Sequence, residues 1–192
     1  ANFIRLRLGD FSPSNAYKIE DKQFVCLGPF NQGLLSVYNS DKQRKEMTFF
    51  GNYPVIGQEY RYKEYLDYFQ GHLSRYGNQF VYASTYFGYI SSYTYKNEQL
   101  VKQWEKQTSD FLYQRVNNRI EFDNLHHEGF GCITAGKEHI YAFSQYLSEK
   151  QMKENGILVF DKSGKLLSCL RIKNPVVYLV TDSREENLYA VS

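Results

Sequence analysis

Apolar positions along this chain fall in short runs rich in Val, Ile, Tyr, Phe and Thr, separated by Gly, Asn, Asp and Ser. That pattern is the signature of strands joined by tight turns. One segment recurs as Phe24-Val25-Cys26-Leu27, Phe80-Val81-Tyr82-Ala83, Ile140-Tyr141-Ala142 and Leu188-Tyr189-Ala190, each time after a polar turn. With Val25, Val81, Ile140 and Leu188 taken as equivalent, the spacings are 56, 59 and 48 residues. A second segment follows the first three, as Leu35 to Tyr38, Ile90 to Tyr93 and Leu158 to Phe160. Polar turns come next, and then a third strand, as Glu46 to Phe50, Leu100 to Trp104 and Leu166 to Ile172. An earlier strand precedes each unit, as Ala16 to Ile19, Leu73 to Tyr76, Phe130 to Ala135 and Val176 to Thr181.

Each unit therefore reads as four short antiparallel strands, a to d, at a period near 50 residues, which is what a β-propeller blade requires. Blades bury their faces only against one another, so no unit is stable alone. The expected fold is all-β, a partial propeller domain over residues 1–192, with blades at about 15–51, 71–106, 129–172 and 176–192. Three and a half blades do not close a ring. The alternating segment Asn2 to Leu8 reads as the outer strand of a preceding blade, so the chain is expected to be part of a larger ring. The rival reading pairs that segment with Leu188 to Val191 or with another molecule, since open edges invite such pairing.

The runs from Phe24 to Phe30 and Leu35 to Tyr38, followed by Phe50-Gly51-Asn52-Tyr53-Pro54, resemble the TolB-like six-bladed propeller proteins of anaerobic Gram-negative bacteria. The third unit, Ile140 to Ala142 and Ile157 to Lys165 with its Asp-Lys-Ser-Gly-Lys turn, is also similar to NHL-type repeats. The resemblance implies a six-bladed ring and an envelope or secreted setting, often as a lipoprotein whose lipid-bearing N-terminus this sequence does not include. It implies no catalytic activity and carries no site residues. The second unit departs most, with Tyr89 to Tyr95 where an Asp-x-x-Gly turn would follow strand c.

Charge adds little. The net value is +2 with both signs mixed along the chain, so neither nucleic acid nor an anionic membrane is the expected partner. Cys26, Cys132 and Cys169 are an odd number with no metal-type spacing and read as buried free thiols. Tyrosine changes the picture more. There are 18, and eleven of them lie between Tyr53 and Tyr95. Tyr suits half-buried pleated surfaces and amphipathic binding faces, so the excess fits either packing between blades or a sticky aromatic surface.

The loops joining d to a and b to c share one face of a propeller, where ligands commonly bind. Here that face carries the connection from Asn52 to Gln70 with Tyr60, Arg61 and Tyr62, the connection from Gln107 to Glu128 with His126 and His127, and the loop from Ser144 to Gly156. Tyr60, Arg61, Tyr62, Tyr86, His126 and His127 are the candidate ligand-binding residues. Adjacent His126 and His127 on an extended segment point to opposite faces, so no metal site is expected there. His72 and His139, single and beside turns, read as structural. Glu20-Asp21 and Glu185-Glu186 read as solvated carboxylates in turns. No GxSxG, HExxH, Walker loop or GxGxxG is present.

The expected function is non-catalytic binding or scaffolding in the cell envelope, engaging a protein or glycan through the Tyr-rich loops without a cofactor. Ring closure would need further blades or a second copy. The alternative is a propeller enzyme acting on a sugar or lactone with a divalent metal in the channel, to which Asp67, Glu121, Asp123 and Glu128 could contribute.

Overall fold

In the computed structural model, residues 13–30, 32–40, 47–53, 69–108, 113–116, 119–122, 129–147 and 153–192 are described. Among them the alternating pattern is realised as sixteen strands and no helix. The first sheet holds β1 (Asn15–Glu20), β2 (Gln23–Phe30), β3 (Gly33–Asn39) and β4 (Met47–Phe50). The second holds β5 (Gly71–Tyr76), β6 (Gln79–Ser84), β7 (Tyr89–Lys96) and β8 (Gln99–Gln107). A short hairpin, β9 (Tyr113–Val116) and β10 (Arg119–Phe122), comes next. The third sheet holds β11 (Phe130–Ala135), β12 (His139–Leu147), β13 (Lys153–Asp161) and β14 (Leu166–Ile172), and a last pair is β15 (Tyr178–Thr181) with β16 (Leu188–Val191). Every pairing is antiparallel, and strands follow one another in chain order, so each four-stranded sheet is a meander.

Sheets pack face on face in series. Val25, Leu27, Leu35 and Val37 of the first sheet meet Leu73, Phe80, Tyr82, Tyr93 and Tyr95 of the second. On the far face of the second sheet, Val81, Ala83 and Ile90 meet Ile133, Ala135, Ile140 and Phe160 of the third. Cys132, Phe143 and Ile157 then meet Val176 and Leu179. The middle strands are buried on both faces for this reason, so they read as continuous apolar runs, whereas β1 alternates between half-buried and exposed. First strands lie beside one another and are tied across the sheets. Asn15 Oδ1 accepts from the Leu73 amide at 3.3 Å, Tyr17 Oη donates to the Leu73 carbonyl at 3.0 Å, and Ser74 Oγ accepts from the Ala135 amide at 2.9 Å.

Register corrects the expected equivalence of the repeats. Phe24 pairs with Lys18 and Tyr38, Phe80 with Arg75 and Tyr93, Ile140 with Ala135 and Phe160, and Leu188 with Thr181. The equivalent residues are therefore Phe24, Phe80, Ile140 and Leu188, one position earlier than Val25 and Val81. A one-residue slip turns every side chain to the other face, and only the true register sends Phe80, Ile140 and Leu188 all toward the preceding sheet.

Three more expectations change. The stretch from Gln107 to Glu128 is not all loop, because it contains the β9–β10 hairpin. Between Ser144 and Gly156 the ladder continues to Leu147 opposite Lys153, so this part is a projecting hairpin arm. Cys26 and Cys132 are buried, and burial pushes both thiols up to about 11, but Cys169 is exposed. It sits on β14, the edge strand of its sheet, where exposed positions run from Leu166 to Arg171. The segment Asn2 to Leu8 lies outside the described residues.

Among the described residues nothing packs on one face of the last pair. Tyr178 opposite Val191 and Val180 opposite Tyr189 stand on the same side, and all four are more than half exposed.

Candidate functional site

Because the sheets are meanders, a to b and c to d turns gather at one end and b to c and d to a connections at the other. The two ends differ in chemistry. At the b to c end the described residues form an aromatic cluster. Tyr53 and Phe69 bracket the Tyr-rich segment, and their ring centroids stand 5.1 Å apart. Phe69 lies 5.8 Å from Phe87, in the turn between β6 and β7. Tyr53 Oη donates to the Phe30 carbonyl at 2.5 Å, and Tyr82 Oη to the Phe69 carbonyl at 2.9 Å, which fixes both ends of the segment on the two sheets. Tyr86, half-buried in the same turn, packs against this cluster, and its amide donates to Ser84 Oγ at 3.3 Å.

Of the residues expected to bind ligand, Tyr86 is thus placed at the aromatic end. Tyr60, Arg61, Tyr62, His126 and His127 lie outside the described residues, as do Asp67, Asp123 and Glu128. Tyr82, Tyr89, Tyr93 and Tyr95 are buried packing residues, which accounts for part of the tyrosine excess. Burial raises the pKa of each, so they stay neutral phenols. Among the described residues no three His, Cys, Asp or Glu side chains come together to hold a metal ion.

At the a to b end lie two features that the sequence did not announce. The first is a groove of about 670 Å³ between the second and third sheets, bordered by Tyr76, Asn78, Gln79, Gln103, Trp104 and Lys162 among others. Trp104 Nε1 donates to the Lys162 carbonyl at 2.8 Å, and the indole lies against Gly164, whose left-handed φ of 83° brings it in so closely that a Cβ would fall 2.6 Å from the ring. The Lys162 ammonium sits 4.9 Å from the Tyr76 ring centroid and donates to the Gly136 carbonyl.

The second is Glu185, which is no solvated turn carboxylate. Its side chain is only 5% exposed, and it occupies a left-handed conformation at φ 61°. It accepts from the Glu138 amide at 2.5 Å, the His139 amide at 2.9 Å, His139 Nδ1 at 3.0 Å and Tyr141 Oη at 3.1 Å. Burial works against its charge, but these donors outweigh that and hold the carboxyl below its usual range. The Tyr141 phenol is pushed up to about 12, by burial first and by this carboxylate second. Glu185 thereby clamps the last strand pair to the third sheet. Nothing in the motif Asp-Ser-Arg-Glu-Glu-Asn separates Glu185 from Glu186; only the turn geometry does. His139 is structural through this contact, and burial lowers the pKa of half-buried His72, against a hydrogen bond with the Phe130 backbone.

No protein-family model matches the chain, and a search of curated proteins also finds no match.

Proposed function

We propose that this chain is a non-catalytic binding module of the cell envelope, built as part of a β-propeller that resembles the TolB-like six-bladed proteins. Serial face-on-face packing of four-stranded meanders, with first strands side by side, supports the propeller reading. The observation that carries the function is the aromatic end. Tyr53 and Phe69 are pinned together, and Phe69 packs on Phe87 in the b to c turn of the second sheet, which also carries Tyr86, so the Tyr-rich segment between them starts and finishes near that turn. Such a surface suits a protein or glycan, because Tyr gives flat contact area at low entropic cost and a hydroxyl for hydrogen bonding.

The test is an array of immobilised glycans and proteins probed with the intact chain, with Tyr86→Ala, and with the Tyr60→Ala, Tyr62→Ala double variant. The reading expects capture by the intact chain, a loss of at least about ten-fold in each variant, and melting temperatures within a few degrees of the parent. Capture unchanged in both variants would refute it.

A further inference from the structure

We propose that the groove at the opposite end, between the second and third sheets, is a second ligand site, and that its ligand is a neutral oligosaccharide. The inference stands apart from the aromatic end, since it uses none of the same residues.

A break in the strand pairing builds the groove. Ser92 pairs with Trp104 and Tyr93 with Lys102, so Gln103 is an extra residue in the edge strand β8. In a regular strand, neighbours 103 and 104 would point to opposite faces. At this bulge both residues border the groove, and Gln103 Nε2 donates to the Val101 carbonyl at 3.0 Å. From the other side the turn after β5 supplies Asn78, and β6 supplies Gln79, whose Nε2 donates to Ser92 Oγ at 2.9 Å. The turn after β13 supplies Lys162 across the gap.

The chemistry of this lining selects the ligand class. Exposed Tyr76 and half-buried Trp104 give the groove aromatic borders of the kind that pack on the C–H faces of a sugar ring. Three amide side chains add hydrogen-bonding capacity for its hydroxyls: Gln79 and Gln103 each spend one N–H within the protein, on Ser92 Oγ and the Val101 carbonyl, which leaves a second N–H and a carbonyl oxygen on each. Among the described residues that border the groove there is no carboxylate, and the cation among them, Lys162, is already engaged. The Lys162 ammonium donates to the Gly136 carbonyl and faces the Tyr76 ring, while Glu185 and Glu138 act on it electrostatically. An anionic ligand would thus gain little from Lys162, and a neutral polyol matches the rest. The volume lies within the range of small-molecule sites.

Trp104 is the only tryptophan in the chain, so its fluorescence reports on the groove. The test titrates the intact chain with four neutral hexasaccharides (cellohexaose, maltohexaose, laminarihexaose and chitohexaose) and with hexagalacturonate. At least one neutral sugar is expected to shift Trp104 emission saturably. Gln103→Ala and Asn78→Ala, both at exposed positions, are each expected to weaken that binding by about ten-fold without moving the melting temperature. The proposal is overturned if no neutral sugar shifts the emission, if the shift persists unweakened in both variants, or if hexagalacturonate binds about ten-fold more tightly than every neutral sugar.

Discussion

Glu185 is a single side chain on which the attachment of the last strand pair depends. Removing it as Glu185→Ala leaves two backbone amides, an imidazole N–H and a phenol without their acceptor. A hydrogen bond to a charged group contributes about 1.5–3 kcal/mol, but Glu138 is exposed and water can replace part of what is lost there, so the net cost is about 2–4 kcal/mol. For a chain of this length that corresponds to a fall of roughly 5–15 °C in melting temperature. Glu185→Gln keeps the shape and one acceptor oxygen but turns an NH₂ toward donors, so it should cost about half as much. The sign with pH follows from the depressed carboxyl. Its contribution is complete above the unfolded value, near 4.3, and disappears as pH falls through the lower folded value. Thermal melts of the parent and Glu185→Gln should therefore differ most at neutral pH and converge in acid. A Glu185→Ala variant that melts within about a degree of the parent at neutral pH, or a Glu185→Gln gap that stays constant into acid, would refute the clamp.

Two other perturbations follow from packing. In the native state a thiol reagent should modify Cys169 quickly and leave Cys26 and Cys132 for the unfolded protein, with mass spectrometry of the labelled peptides as the readout. Gly164→Ala should destabilise by more than about 1 kcal/mol in chemical denaturation, because its left-handed backbone penalises Ala and the new methyl would push Trp104 off its contact with the Lys162 carbonyl.

The strands were legible because each is a short apolar run closed by turn residues, and Phe24, Phe80, Ile140 and Leu188 repeat in the same local context. Their register was not, since Phe24-Val25 and Ile140-Tyr141 are equally apolar, and only partner strands decide which residue faces which sheet. Exposure of Cys169 escaped for a related reason: an apolar run on an edge strand looks like one in a sheet centre. At the site level, tyrosine enrichment was legible, but part of it is buried packing at Tyr82, Tyr89, Tyr93 and Tyr95, and of the candidate binding residues only Tyr86, half-buried against the core of the first two sheets, falls among the described residues. The groove was invisible because Gln103 and Trp104 border it at a bulge, and Lys162 reaches it from 58 residues beyond Trp104. Glu185 was hidden by its neighbour Glu186, which has the same charge and none of the contacts.

The binding account rests on where a ligand settles, and amide hydrogen exchange with and without a captured protein, or a captured glycan that leaves Trp104 emission unshifted, measures that directly. Protection concentrated between Tyr53 and Gln70 and in the turn at Thr85 to Gly88 is the predicted result. Protection that spares both of these segments, whichever other part of the chain it covers, would contradict the assignment of function to the aromatic end.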